Sequence, residues 1–145
     1  MMKGRAVKNI LYVMIVFITV TSCNNTDAGG AAIMKDSSSY TSIQWLDTLK
    51  RFDTIKMGEQ VKIAFRFKNT GTKELYLTEV KPGCGCTASD YTHGAIAPGK
   101  EGVVTGEFDS NKSHTGPVTK QLFVTSNTHG GTKDTLTFTG VIKEK

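Results

Sequence analysis

The sequence predicts an all-β fold in which two antiparallel sheets pack against each other as a sandwich of about seven strands. Two observations lead to this prediction: short segments in which apolar and polar residues alternate, and turn residues that separate those segments. No window has a helical period of any length, and the sequence has no internal repeat. About a hundred residues carry the strand pattern, which is enough for one compact domain and too few for two.

The clearest strand is Gln60–Lys68, which places Val61, Ile63, Phe65 and Phe67 on one face and basic residues on the other. Asn69, Thr70 and Gly71 follow this strand and predict a turn, because Asn and Gly tolerate positive φ. The other predicted strands are Ile43–Leu46, Phe52–Ile55, Leu75–Val80, Val103–Phe108, Gln121–Thr125 and Leu136–Val141. We expect the core to contain Trp45, Val61, Ile63, Phe65, Phe67, Leu75, Leu77, Phe108, Leu122, Phe123, Val124 and Phe138.

The first 22 residues have the pattern of a secretory signal. Lys3, Arg5 and Lys8 precede an apolar stretch, Ile10–Ile18, that is too short to span a bilayer. The stretch leads into Val20–Cys23, which resembles the lipobox of bacterial lipoproteins. The resemblance implies that Cys23 is lipidated, with acyl chains such as palmitate holding the chain to the membrane. The alternative is an ordinary signal peptide with an incidental cysteine.

Residues 23–41 are small, polar and without a period, which predicts a flexible tether between the lipid and a domain at residues 42–145. The predicted location is the bacterial cell envelope, lipid-anchored and facing the periplasm or the cell surface. The full chain has a net charge of +5, but three of its 18 basic residues precede Cys23. The remaining 15 basic and 13 acidic residues leave a net charge of +2 and are interspersed, which argues against nucleic acid as a partner.

Cys84 and Cys86 are the two cysteines left after Cys23, and an even number in an oxidising compartment permits a disulfide. Their spacing allows three interpretations. The first is a disulfide or redox-sensitive pair that closes a tight loop through Gly85. The second is a soft-metal site for copper or zinc, in which His93 is the nearest third ligand and His114 a more distant one. The third is a pair of small buried residues.

Five ordered blocks of the sequence resemble one bacterial family, the domain-of-unknown-function family fifteen seventy-three. The blocks are Phe52 with Thr54–Glu59, Phe65–Gly71, Val80–Thr87, Ile96–Gly99 and Val124–Asn127. The resemblance covers about Asp47 to Val141 and departs from the family at Asp53, where a glycine is usual. It implies an immunoglobulin-like antiparallel β-sandwich of about seven strands, similar to Hydin-type and sperm-protein-like domains, which generally act as interaction modules.

The predicted function is a noncatalytic interaction module that binds another envelope protein, without a cofactor and without catalytic residues. The sequence contains no nucleophile elbow, Gly-rich phosphate loop or paired-histidine metal motif. The alternative is a thiol/disulfide protein, or a soft-metal protein that holds copper with Cys84 and Cys86.

Overall fold

A computed structural model describes residues 37–129 and 133–145 of the chain. The predicted signal peptide, the lipidated Cys23 and most of the predicted tether lie outside the described residues. Within the described ranges, no helix has the length and apolar character needed to cross a membrane.

In the part of the chain that the structure describes, eight strands form two four-stranded sheets that face each other, which confirms the sandwich. The strands are β1 (Ile43–Trp45), β2 (Leu49–Lys56), β3 (Gln60–Asn69), β4 (Leu77–Pro82), β5 (Thr87–Tyr91), β6 (Glu101–Asp109), β7 (Gly116–Ser126) and β8 (Lys133–Lys143). One sheet has the order β1-β3-β6-β5 and the other β2-β8-β7-β4. Short 3-10 helices lie at Ser37–Ser39 and Ser110–Lys112.

The strand β5 is the one that the sequence did not predict. Two of its inward positions, Thr87 and Ser89, are polar, so the segment lacks the apolar alternation that marks the other strands. The prediction for β2 was too short at its start, because Lys50 and Arg51 interrupt the apolar pattern before Phe52.

One pair of strands departs from the antiparallel expectation: β2 runs parallel to β8. The chain crosses from one sheet to the other between Trp45 and Leu49 without reversing direction, so β1 and β2 are two parts of one long N-terminal strand. The part in the first sheet pairs antiparallel with β3, and the part in the second sheet pairs parallel with the last strand. All other paired strands are antiparallel.

Most of the predicted core is confirmed, with Phe65, Phe67, Phe108 and Phe138 fully buried between the sheets. Trp45 and Val61 are only partly buried but pack against this core. The prediction for Phe123 was wrong. Its neighbours Leu122 and Val124 are both fully buried, so the alternation of the strand turns Phe123 to the outer face, opposite Lys81 and Thr135.

The two ends of the sandwich carry different chemistry. We call them the asparagine end, with Thr41, Asn69 and Asn127, and the cysteine end, with the loop Gly83–Cys86 and the helix Ser110–Lys112. The ten residues of β3 run from the cysteine end to the asparagine end, a distance of about 30 Å at the rise of an extended chain. The chain therefore enters the domain about 30 Å from Cys84 and Cys86.

Candidate functional site

The sulfur atoms of Cys84 and Cys86 lie at disulfide-bonding distance, and the two Cα atoms are 5.3 Å apart. The local chain direction explains this proximity. Strand β4 ends at Pro82, as the inability of proline to donate a ladder hydrogen bond predicts. The N–H of Gly83 donates to the carbonyl of Gln121 at 2.9 Å, and the chain then turns into β5.

The two cysteines differ in exposure. Cys86 is 5% exposed and belongs to the core, whereas Cys84 is partly buried against it. The hydroxyl of Thr87 lies 3.7 Å from the sulfur of Cys84 and 3.8 Å from that of Cys86. Gly85, between them, is exposed and has no atom near the position where a Cβ would lie.

Charged groups flank the cysteine pair unequally. Cys84 lines a cavity of about 330 Å³ together with Gly83, Thr119, Lys120 and Gln121. Lys120 occupies an inward position of β7, opposite Phe138, and its Nζ lies 5.8 Å from the ring centre of Phe108.

Cys86 lines a separate cavity of about 290 Å³ whose other residues include Glu107, Asp109 and Lys112. The ammonium of Lys112 lies 3.9 Å from a carboxylate oxygen of Asp109, so the two charges offset each other. The side of Cys84 therefore carries the ammonium of Lys120, whereas the side of Cys86 carries two carboxylates and one ammonium.

The structure does not bring His93 to the cysteines. Its ring contacts Tyr91 and Asp90 at the far end of β5, and a five-residue strand spans about 13 Å. The N–H of Tyr91 and then the ring of His93 lower the pKa of Asp90 from its ordinary value. His114 is exposed in the loop after Ser110–Lys112. Within residues 37–129 and 133–145, no three His, Cys, Asp or Glu side chains form a group that could hold a metal ion.

Two buried asparagines organise the other end of the sandwich, a role that the sequence analysis missed. The side-chain amide of Asn127 donates to the carbonyls of Ser39 and Glu74 at 2.9 Å each, and its oxygen accepts from the N–H of Tyr76 at 2.7 Å. Asn69 accepts from the hydroxyl of Thr41 at 3.0 Å.

These bonds attach the incoming segment Ser39–Thr41 to the domain. Both asparagines belong to blocks that resemble the family, and each stands at the end of a strand. Their position at the end of a strand is the sequence feature that could have indicated this role, but we interpreted Asn69 as a turn residue only.

The outer faces of the two sheets also differ. The first sheet has a charged face in which Lys62 lies opposite Glu107 and Lys68 opposite Glu101. On the second sheet, the outer positions of the central strands β7 and β8 carry uncharged side chains, except for Lys133 and Lys143 at the two ends of β8. We call this surface the threonine face; its members are Pro117, Thr119, Gln121, Phe123, Thr125, Thr135, Thr137, Thr139 and Val141.

A family model described as "Protein of unknown function (DUF1573)" matches residues 43–142. This is the family that the five sequence blocks resemble. No curated protein matches the chain significantly.

Among solved structures, the chain is similar to a protein of unknown function from Porphyromonas gingivalis W83, with a TM-score of 0.63 and 14% identity. That match covers 73% of this chain and 49% of the other, so the chain spans about half the length of the Porphyromonas protein. It is also similar to the ASH / PapD-like domain 7 of human CEP192, with a TM-score of 0.58, 14% identity and coverage of 74% and 89%. The secreted serine protease VesC from Vibrio cholerae matches at a TM-score of 0.50 and 13% identity, over 74% of this chain and 24% of VesC. At these identities the similarities establish the sandwich fold alone.

Proposed function

The chain belongs to the DUF1573 family, and from this premise we propose that it is a lipid-anchored protein of the bacterial cell envelope whose sandwich binds another envelope protein without catalysis. The segment Val20–Cys23, after a short apolar stretch, supports the anchor. Acyl chains on Cys23 would hold the domain to a membrane.

The observation that carries the binding function is the threonine face. The centre of a protein–protein interface is depleted of charged side chains, whereas a solvated surface carries charges of both signs. The charged face has the second pattern, with Lys62 opposite Glu107 on adjacent strands. The threonine face has the first: Thr119 lies opposite Thr139 and Gln121 opposite Thr137. Among the residues that the structure describes, the charged side chains on this side of the sheet stand at the margin of the face, as Arg51 does beside Thr139 and Lys133 beside Thr125.

In-cell photo-crosslinking tests this function. A photoreactive amino acid is placed at Gln121, on the threonine face, and at Ala64, an exposed position of β3 on the charged face. We expect Gln121 to give a discrete adduct with one envelope protein, and Ala64 to give little of it. The same diffuse adducts from both positions, or no adduct from Gln121, would contradict the proposal.

A substitution on the threonine face tests whether the crosslinked adduct depends on the absence of charge there. Thr139→Lys places a charge at the centre of the threonine face, where its long side chain can reach solvent. We expect the Gln121 adduct to fall severalfold while the thermal midpoint of the domain stays unchanged. Ala64→Lys, on the charged face, is the matched control and should leave the adduct intact.

The thiol/disulfide alternative has its own supporting observation, the contact between the sulfurs of Cys84 and Cys86. It is compatible with the binding function because the cysteine pair lies at the end of the sandwich and the threonine face covers its side.

A further inference from the structure

We propose that Cys84 and Cys86 form a thiol–disulfide exchange site in which Cys84 is the sulfur that bonds to a partner thiol and Lys120 stabilises the Cys84 thiolate. The partner is a dithiol, either a small molecule or a pair of cysteines on a protein. This activity goes beyond the binding function proposed above and does not depend on it.

Access selects Cys84 as the reacting sulfur. An attacking thiolate must reach a sulfur atom from the side opposite the bond that breaks. Cys86 also lines a cavity, but it is 5% exposed and packs within the core, so its sulfur offers less access. Cys84 is partly buried and lines the cavity formed with Gly83, Thr119, Lys120 and Gln121. That cavity gives a small thiol a route to the Cys84 sulfur.

Charge favours the second step of the exchange, in which Cys84 leaves as a thiolate. A nearby cation lowers the pKa of a thiol, and burial or a nearby carboxylate raises it. Lys120 lines the cavity of Cys84, and its Nζ lies over the ring of Phe108. Phe108 pairs in register with Thr87, whose hydroxyl contacts the Cys84 sulfur, so the ring that the ammonium contacts belongs to the residue paired with Thr87.

The other charged groups around the pair lie on the side of Cys86 or on the outer face. Glu107 and Asp109 of β6, with Lys112 after it, line the cavity of Cys86. Lys81 of β4 lies opposite Phe123 on the outer face and pairs with Glu79 at 3.4 Å. The structure therefore stabilises a thiolate at Cys84 more than one at Cys86.

The exchange proceeds in two balanced steps. A partner thiolate attacks the sulfur of Cys84, the Cys84–Cys86 bond breaks, and its electron pair leaves on Cys86, which takes a proton from water. Thr87 is placed to hydrogen-bond to that sulfur. The second partner thiolate then attacks the partner sulfur of the mixed disulfide and releases Cys84 as a thiolate beside Lys120. The partner dithiol is oxidised to a disulfide, and the cysteine pair is reduced to two thiols.

The first experiment maps the mixed disulfide. The full chain carrying Cys23→Ser is purified, oxidised and exposed briefly to glutathione, and the thiols released are then blocked with N-ethylmaleimide. Peptide fragmentation locates the glutathione and the blocking group. We expect glutathione on Cys84 at least about tenfold more often than on Cys86. Equal labelling, an excess on Cys86, or no mixed disulfide would overturn the proposal.

The second experiment tests Lys120 as a positioning residue. In the fully reduced chain at pH 7, we expect Lys120→Gln to slow alkylation of Cys84 by roughly fivefold, because the thiolate fraction falls. Lys120→Arg keeps the charge and should retain the rate. Lys81→Gln removes a charge three residues from Cys84 but on the outer face, and it should change the rate by less than about twofold.

An unchanged rate in Lys120→Gln, or the same loss in Lys81→Gln, would overturn the role of Lys120. Circular dichroism establishes that each variant is folded. If Lys120→Gln does not fold, a loss of rate in the folded Lys120→Arg variant would overturn the role by itself, since this variant keeps the positive charge.

Discussion

Gly140 is a position in β8 where the core leaves no room for a side chain. A Cβ there would overlap the ring of Phe52, and Phe52 in turn packs against Phe108 and Phe138. A Cβ added at Gly85, between the two cysteines, would lie in open space. Neither glycine has a positive φ, so the comparison isolates the effect of volume.

We expect Gly140→Ala to lower the free energy of unfolding by about 1–3 kcal/mol, the usual range for overpacking a core. Gly85→Ala should change it by less than about 1 kcal/mol and can stabilise the fold by restricting the unfolded chain. Urea denaturation of both variants measures the difference. Equal free energies of unfolding would contradict the close approach of Phe52 to β8.

Asn127 is the residue whose loss we expect to loosen the asparagine end. Asn127→Ala removes the partners of the Ser39 and Glu74 carbonyls and of the Tyr76 N–H. Unsatisfied buried groups are costly, so the free energy of unfolding should fall by roughly 3 kcal/mol. Hydrogen exchange at the Tyr76 amide should accelerate as well. Asn111→Ala, at an exposed asparagine, is the control and should stay within about 0.5 kcal/mol.

At the scale of elements, the predictability of each strand followed its exposure pattern. The alternation of β3 is regular because one face lies on the core and the other in solvent, so its start and its buried apolar residues could be predicted, although the strand ends at Asn69, one residue later than predicted. The same pattern failed for β5, which places Thr87 and Ser89 inward, and for Phe123, an aromatic residue on an outer face. Composition alone does not distinguish an inward threonine from an outward one.

Substitution of Phe65 tests which face of β3 lies on the core. Phe65 is fully buried, so Phe65→Ala should lower the free energy of unfolding by about 3–5 kcal/mol through the cavity that it leaves. Lys62→Ala, on the outer face of the same strand, should change it by less than about 0.5 kcal/mol. Similar urea midpoints for the two variants would be inconsistent with the assigned faces of β3.

Asp47 stabilises the crossing from β1 to β2. Its carboxylate lies 2.8 Å from Lys50 Nζ, and the hydrogen bond to Lys50, followed by bonds to Arg66, lowers the pKa of Asp47 from 3.8. A carboxylate whose pKa is lowered in the folded state stabilises the fold at pH values above its ordinary pKa. This contribution is lost as the pH falls through the lowered pKa. We therefore expect Asp47→Asn to be less stable than the parent at pH 7, with the difference shrinking toward pH 2. A constant difference in thermal midpoint across this range would contradict the ion pair.

At the scale of the whole molecule, the sandwich and the family could be predicted because ordered blocks and turn residues extend over most of the domain. The proximity of Cys84 and Cys86 could be proposed from their spacing. The neighbouring Lys120 could not, because it is 36 residues from Cys84 in sequence and reaches it through the pairing of β4 with β7. The threonine face also depends on which strands are adjacent, and the sequence pattern does not contain that information.

The membrane anchor is a whole-molecule prediction. We expect Cys23→Ser to move the chain from the membrane fraction to the soluble fraction, because a serine side chain lacks the thiol to which the acyl chains would be attached. Cell fractionation measures the distribution, and the purified chain should lack the mass of the acyl groups. Ser22→Ala, which keeps a small residue before Cys23, is the control. Unchanged membrane retention and mass would contradict lipidation.

A pull between Thr41 and Lys143 would stretch the sandwich along its strands, because these residues lie at opposite ends. The three pairs of β1 with β3 are loaded along the strands, so these strands would slide against each other. The six pairs between the parallel strands β2 and β8 would slide in the same way and, being twice as many, would resist a larger force. We therefore expect the first part of the domain to yield at a lower force while the shear resistance of β2 and β8 keeps the rest of the sandwich closed under tension.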